Sequence, residues 1–254
     1  MNFRKLKLTN DTIHIKNLKS KFTATLISDI HIDIKNSKKR LKKAVKLSNE
    51  QNPDFVFILG DFMSFSSKKV KDLESISKLK SNNGVYAVLG NHDYVHLPKL
   101  KKLELTANNI AKALQELNVN VLRNQSTLIN IGDSKINLIG FDSFKTKKIN
   151  VNKAFSNVNH EHPKIILAHE PDSVLHLDEH EADIMFCGHT HGCTFRLPII
   201  GPFFMLSKLG AKFDKWHKIY NGQKMYISSG INEAILEPRL FNPPEVNLIE
   251  FVPQ

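Results

Sequence analysis

The chain has 254 residues, two cysteines and a formal net charge of +11 at pH 7. Its length suits one domain over residues 1–254, because no glycine-, serine- or proline-rich linker divides the sequence and no repeat of solenoid length occurs. The spacing of Cys187 and Cys193 excludes a Cys-x-x-Cys metal knuckle and a disulfide framework, which favours a reducing compartment.

The first half of the chain predicts alternating strands and helices, the pattern of an α/β fold. Residues 3–22 alternate between polar and apolar enough to predict a short hairpin, and a buried strand over 23–28 follows. The continuous apolar run Phe55–Leu59 is typical of a strand in a sheet that is covered on both faces. The remaining apolar spacing predicts a third strand over 85–89 and helices over 37–51, 68–80 and 100–117.

The second half of the chain is richer in predicted strands. Residues 127–131 and 136–141 flank Gly132-Asp133, which is a strong hairpin signal. Further apolar runs predict strands over 164–168, 183–187, 226–230 and 246–251.

Short polar clusters follow several of these strand-like runs. Because open α/β sheets place their ligands at the carboxyl ends of the strands, we expect these side chains to meet at one edge. Carboxylates, an amide oxygen and imidazoles suit two adjacent Mn, Fe, Zn, Co or Ni ions. The clusters are Asp29-Ile30-His31, Gly60-Asp61, Gly90-Asn91-His92-Asp93, His169 and Gly188-His189-Thr190-His191.

Each of these residues has a plainer interpretation when it is taken alone. Asp61 after Gly60 would be a turn residue, and His169 after an apolar run would be a core histidine. The complete series, in this order and after these runs, favours metal ligation instead.

The order of these motifs resembles that of the calcineurin-like metallophosphoesterase superfamily, from about residue 23 to the C-terminus. Two segments, residues 188–192 and 239–246, are similar to a bacterial branch. That branch contains membrane-associated phosphodiesterases and a UDP-2,3-diacylglucosamine hydrolase of lipid A synthesis. The resemblance implies an α/β fold, a four-layer αββα sandwich of two mixed β-sheets flanked by helices.

The resemblance also implies a ligand set and a mechanism. Two divalent metal ions, with Mn expected first, would share Asp61, and a hydroxide that bridges them would be the nucleophile. The first ion would be held by Asp29, His31, Asp61 and His191, and the second by Asp61, Asn91, His169 and His189.

His92 and Asp93 are the predicted catalytic residues beside the metals. His92 follows the ligand Asn91 directly, so we expect it to protonate the leaving oxygen or to stabilise the developing charge. We expect Asp93 to accept a hydrogen bond from the His92 imidazole and to fix its tautomer.

Three departures from related patterns narrow the class. Residues 62–65 read Phe-Met-Ser-Phe, without the Asp-Arg pair of serine/threonine protein phosphatases. Ser64 stands where purple acid phosphatases have an iron-binding tyrosine. Residues 192–194 read Gly-Cys-Thr where the bacterial branch has Gly-Gly-Gln, which leaves the substrate contacts there open.

An apolar segment over 197–206 follows the last predicted ligand, and lysines follow the segment. It is either a buried loop or an apolar lip for acyl chains, which Phe62, Met63 and Phe65 would join. The basic charge is likewise either a solvated surface or an attraction to phospholipid or nucleic acid. The N-terminal residues contain no apolar stretch, so we expect a cytoplasmic protein, with peripheral contact to the inner face of the membrane as the open alternative.

The sequence thus predicts a metal-dependent phosphodiesterase or pyrophosphatase. The specific reaction that the resemblance implies is hydrolysis of UDP-2,3-diacylglucosamine to 2,3-diacylglucosamine 1-phosphate and UMP. A nuclease or cyclic-nucleotide phosphodiesterase of the same fold, and a non-catalytic metal-binding scaffold, remain alternatives. The expected partner is a phosphate-containing small molecule or lipid, ahead of an anionic membrane surface and nucleic acid, and no obligate protein partner is inferred.

Overall fold

A computed structural model describes residues 5–65, 67–94, 103–193, 196–197, 201–202, 207–232, 239 and 241–254. The strands of this part are, in chain order, β1 (Lys7–Ile15), β2 (Phe22–Ile27), β3 (Phe55–Leu59), β4 (Val85–Val88), β5 (Val119–Val121), β6 (Gln125–Ile131), β7 (Ser134–Gly140), β8 (Lys164–Leu167), β9 (Ile184–Cys187), β10 (Arg196–Leu197), β11 (Gly201–Pro202), β12 (Trp216–Tyr220), β13 (Gln223–Ile227) and β14 (Glu245–Pro253). The α-helices are α1 (Ser37–Asn49), α2 (Leu103–Glu116) and α3 (Val151–Phe155), and 3-10 helical segments cover Ser67–Lys78, Asn91–Tyr94, Pro171–His176 and Ala211–Phe213.

Two six-stranded sheets contain most of these strands. The first has the order β1-β14-β2-β3-β4-β5, in which β2 to β5 run parallel and β14 runs antiparallel to β2. The second has the order β12-β13-β9-β8-β7-β6, in which β7, β8, β9 and β13 run parallel and both edge strands run antiparallel. Both sheets are therefore mixed, as predicted.

The sheets stack face to face, with helices on both outer sides. Strand β3 shows the arrangement, because all five of its side chains are buried and they alternate between two cores. Phe55, Phe57 and Leu59 pack between the sheets, whereas Val56 and Ile58 pack under α1 and α2. A third core lies between the second sheet and α3. Three apolar layers between four layers of structure confirm the αββα sandwich.

Several local predictions hold. Helix α1 begins at Ser37 as predicted and ends two residues before the predicted boundary. The hairpin around Gly132-Asp133 forms between β6 and β7, with Ile131 paired to Ser134. No helix within the described ranges is both long and apolar enough to cross a membrane.

Two local predictions are wrong. No hairpin forms over the described part of residues 3–22, from residue 5 onward, because β1 pairs parallel with β14, from Lys7 beside Glu245 to Ile15 beside Pro253. That partner lies more than two hundred residues away, so local alternation carries no information about it. The helix predicted over 68–80 is a 3-10 segment with a kink at Lys69, where φ and ψ are not helical.

Candidate metal centre

The predicted ligands come from loops at the carboxyl ends of five strands. Strands β2, β3 and β4 of the first sheet lead into Asp29, Asp61 and Asn91, and β8 and β9 of the second lead into His169 and His189. A hydrogen bond of 2.6 Å from Nδ1 of His169 to the Leu59 carbonyl joins the two sheets at this edge. The stacking of the sheets therefore brings together residues that are far apart in sequence.

Six of the seven predicted ligands form two buried clusters. Within each cluster the potential ligand atoms lie within 4.8 Å of one another. In the first cluster, Nε2 of His31 and of His191 lie 4.0 and 3.6 Å from Oδ1 of Asp29. In the second, Nδ1 of His189 lies 3.2 Å from Nε2 of His169. The clusters are Asp29, His31 and His191, and Asp61, His169 and His189.

Asp61, a member of the second cluster, also faces the first. Its Oδ2 is 3.0 Å from Nε2 of His169 and 3.7 Å from Nε2 of His31, so one oxygen faces both groups. Its Oδ1 accepts a hydrogen bond of 2.9 Å from the backbone N–H of His92, which fixes the orientation of the carboxylate. This is the position that a carboxylate shared by two cations requires.

Buried polar atoms without partners show what this site can bind. Buried polar groups in proteins are almost always hydrogen-bonded, because leaving one unpaired costs roughly 1–3 kcal/mol. Here seven buried side-chain atoms of the described residues have no hydrogen-bond partner, and five of them are on predicted ligands; the other two are the hydroxyls of Ser126 and Ser173. The five are Asp29 Oδ1, His31 Nε2, Asp61 Oδ2, Asn91 Oδ1 and His189 Nε2. The donor set therefore fits divalent cations, and it includes Asn91, which belongs to neither cluster.

Backbone carbonyls orient three of the histidines. Nδ1 of His31 donates to Met63 O at 3.1 Å, that of His169 to Leu59 O, and that of His191 to Asn232 O at 2.8 Å. In each ring Nε2 is therefore the nitrogen that is directed to the clusters. Outer partners of this kind commonly fix the tautomer of metal-binding histidines.

Burial and nearby charges set the protonation of the site. Burial lowers the pKa of His31 to about 4, and burial together with the charge of Arg239 lowers the pKa of His191 to about 3. Burial alone would lower the pKa of His169 as well, but the adjacent Asp61 carboxylate raises it to about 10. His169 in turn holds the pKa of Asp61 well below its ordinary value, against the effect of burial. His31 and His191 are therefore neutral at pH 7, as cation binding requires.

The ligand loops adopt a strained backbone. Asp29, His31, Asp61, His189 and His191 all have positive φ angles, between 42° and 70°. Side chains rarely adopt this left-handed region, and such outliers concentrate at functional sites. Close packing accompanies the strain, because a Cβ atom on Gly90 would clash with Oδ1 of Asp61. Gly90 is therefore needed for the approach of the β4 loop to Asp61.

The two predicted catalytic residues have different surroundings. His92 is partly buried beside the first cluster, with its ring centroid 5.3 Å from that of His31. The expected bond from its imidazole to Asp93 is wrong, because Nδ1 of His92 donates to Ser64 O at 3.0 Å. The fully buried Asp93 instead accepts three backbone N–H groups, from Phe62, Met63 and Gly90. It joins the loops that carry Asp61 and Asn91.

Sequence reasoning missed the residues that hold the last ligand loop. Arg239 is buried and donates to Ser229 O and Asn232 O at 2.6 and 2.7 Å, beside His191. Asn242 donates to His191 O at 2.5 Å and to Cys193 O at 3.1 Å. Both lie in the segment 239–246, whose similarity to the bacterial branch was the sequence signal that could have identified them.

The predicted apolar lip is not supported by the residues that the structure describes. Most of the segment 197–206 lies outside the described residues. Phe62 and Met63 are fully buried in the core under α1 and are wrong as members of a lip. Phe65, in contrast, is 56% exposed.

Comparison with known proteins agrees with the resemblance. A family model described as calcineurin-like phosphoesterase matches residues 22–193. An uncharacterized metallophosphoesterase of Helicobacter pylori is 30% identical over 98% of this chain, and the chain spans 64% of that relative's length. The UDP-2,3-diacylglucosamine pyrophosphatase LpxG of Chlamydia muridarum is 28% identical over 68% of this chain and 64% of its own length. The phosphodiesterase YaeI of Escherichia coli is 27% identical over 91% of this chain and 82% of its own length.

A solved structure shares the fold at low identity. The protein TT1561 of Thermus thermophilus superposes with a TM-score of 0.53 at 12% identity, covering 84% of this chain and 91% of its own.

Proposed function

Because the chain belongs to the calcineurin-like phosphoesterase family, we propose that it hydrolyses phosphodiester or pyrophosphate bonds with two divalent cations. The observation that carries the proposal is the position of Asp61, whose Oδ2 faces both clusters. When bound, two such cations neutralise phosphate charge and lower the pKa of an attacking water. The chain would hold them with Asp29, His31, Asp61 and His191, and with Asp61, Asn91, His169 and His189.

In this proposal His92 exchanges a proton with the leaving oxygen. Nδ1 of His92 keeps its proton in the bond to Ser64 O, so the proton that passes to the leaving oxygen is a second one, carried on Nε2 of the doubly protonated ring. His92 also lies beside His31 without belonging to either cluster, as a group that contacts substrate and not metal requires. Asp93 acts as a positioning residue, since its carboxylate fixes the backbone on which Asp61 and Asn91 are carried.

The finer proposal concerns the cation and the substrate. Mixed oxygen and nitrogen donors suit Mn²⁺, with Fe, Zn, Co or Ni as competitors. The similarity to two chlamydial LpxG proteins, at 28% and 26% identity, supports UDP-2,3-diacylglucosamine as the first substrate to test. The net charge of +11 supports contact with an anionic membrane surface, and co-sedimentation with phosphatidylglycerol vesicles at rising salt would measure it.

A substrate panel tests the proposal. We expect the protein reconstituted with Mn²⁺ to hydrolyse bis(p-nitrophenyl) phosphate, and the Asp61→Asn variant to fail. Parallel assays with UDP-2,3-diacylglucosamine, cyclic AMP and DNA separate the lipid-linked substrate from the nucleotide alternatives. No turnover of any member at saturating Mn²⁺ would favour a non-catalytic scaffold and would contradict the proposal.

A further inference from the structure

The ring of Phe65 is exposed beside the candidate metal centre. It is 56% exposed, although Phe62 and Met63 of the same loop are fully buried. Its centroid lies 6.3 Å from that of His92, in an edge-to-face arrangement. Since His92 contacts His31 of the first cluster in the same way, the three rings form a row that leads from the cluster to the surface.

Hydrogen bonds hold the loop that carries Phe65. The N–H groups of Phe62 and Met63 donate to Oδ1 of Asp93 at 2.8 and 3.1 Å. The N–H groups of Ser64 and Phe65 donate to the two carboxylate oxygens of Asp33, each at 2.7 Å. Four consecutive backbone groups are thus paired with two carboxylates, which fixes the direction of the chain at Phe65.

An exposed ring on a fixed loop is available to a ligand. Exposed apolar surface is unfavourable in water, and aromatic side chains gain most when another ring or an apolar group covers them. Because the N–H groups at these four positions are hydrogen-bonded, moving the loop to bury the ring would break those bonds. A substrate group can cover the ring at no such cost.

The position of His92 determines which part of a substrate would meet the ring. If Nε2 of His92 protonates the leaving oxygen, the group on that oxygen lies on the side of His92 away from the clusters. Phe65 contacts the same His92 ring, with 6.3 Å between the centroids, and its exposed surface is open to such a group. The apolar surface of Phe65 is therefore within reach of the group that the leaving oxygen carries.

We propose that Phe65 is a specificity-determining residue that binds an aromatic or apolar leaving group of the substrate. This inference rests on the proposed function, since it needs a phosphodiester with a leaving group beside His92. It identifies the substrate class as diesters in which the leaving oxygen carries a flat or apolar group.

Two phosphodiesters with the same methyl group and different leaving groups test this inference. Methyl naphthyl phosphate has an aromatic leaving group, whereas methyl trifluoroethyl phosphate has a small one. We expect Phe65→Ala to raise KM for the naphthyl ester about tenfold and to leave KM for the trifluoroethyl ester unchanged. Phe65→Trp, which keeps an aromatic surface, should restore KM for the naphthyl ester.

Leu128→Ala is the matched control, because Leu128 is 44% exposed on β6, away from the ligand loops. It should change neither KM, and all variants should keep the metal content of the parent protein. If the parent protein hydrolyses neither ester, the proposed function itself fails. If the parent hydrolyses both and Phe65→Ala affects them equally, whether through kcat or KM, Phe65 only supports His92 and the inference is overturned.

Discussion

Oδ2 of Asp61 lies 3.0 Å from Nε2 of His169, and both side chains are buried. The pair keeps its charges in the protein without metal, because burial opposes ionisation of both groups and their mutual attraction outweighs it. The same two atoms are predicted cation ligands. A cation therefore has to displace the proton that His169 carries.

This displacement predicts proton release on metal binding. At pH 8 His169, whose pKa is raised to about 10, is protonated, whereas His31 and His191, with lowered pKa values, are already neutral. Binding of Mn²⁺ at pH 8 should release about one proton per chain, and affinity should rise with pH up to about 10. Calorimetry in two buffers of different ionisation enthalpy measures the release. Binding without proton release, or affinity that falls as pH rises, would contradict the pairing.

Loss of the shared carboxylate should weaken both cation sites. Asp61→Asn keeps the size of the side chain but removes the charge that faces His31 and His169. Loss of an outer-shell partner costs roughly 10–100-fold in metal affinity, so loss of this ligand should cost more. Metal analysis after dialysis measures the effect, with the exposed Asp178→Asn as a control that should keep the full content. A variant that loses one cation and keeps the other at unchanged affinity would show that Asp61 serves a single site.

His92 should matter for rate and not for metal content. His92→Ala should lower kcat by on the order of a hundredfold, because a positioned proton donor is lost, and should do so less for substrates with good leaving groups. Metal content should stay near normal, since Nδ1 of His92 is bonded to Ser64 O and His92 belongs to neither cluster. His189→Ala is the comparison that should lose metal. An equal loss of metal in both variants would identify His92 as a ligand.

Asp93 should contribute to stability through the backbone. Asp93→Asn replaces an acceptor of the Gly90 or Phe62 N–H with an amide donor, which leaves a buried group unpaired. The free energy of unfolding should fall by about 1–3 kcal/mol. Asp33→Asn is the matched variant, because Asp33 also accepts two N–H groups from the loop but is only partly buried. Thermal denaturation should show the larger loss for Asp93→Asn, and a larger loss for Asp33→Asn would contradict the assigned role.

The tendency of open α/β sheets to place ligands at the carboxyl ends of their strands explains why the sequence predicted where the candidate ligands meet. Asp29, Asp61 and Asn91 each follow a short apolar run, and parallel strands bring the ends of such runs to one edge. The prediction needed only local patterns and the assumption of a covered parallel sheet. It did not need the loop conformations, although these place five of the ligand residues in the left-handed region.

Local pattern was insufficient where distant segments decide the structure. The pairing of β1 with β14 and the support of His191 by Arg239 and Asn242 depend on contacts between remote parts of the chain. The apolar character of Phe62 and Met63 is compatible with the predicted lip, but the chain turns there into the core under α1. The backbone bonds of Asp93 could not be predicted for the same reason, because its partners Phe62 and Gly90 lie on two loops that only the folded chain places side by side.

Titration of the metal-free protein with Mn²⁺, followed by hydrolysis of bis(p-nitrophenyl) phosphate, tests the central claim most directly. The two clusters joined by Asp61 predict no turnover without metal and a rate that reaches its maximum as the second equivalent of Mn²⁺ binds. Full turnover in the metal-free protein, or a maximum at one equivalent with no further binding, would contradict a centre of two cations.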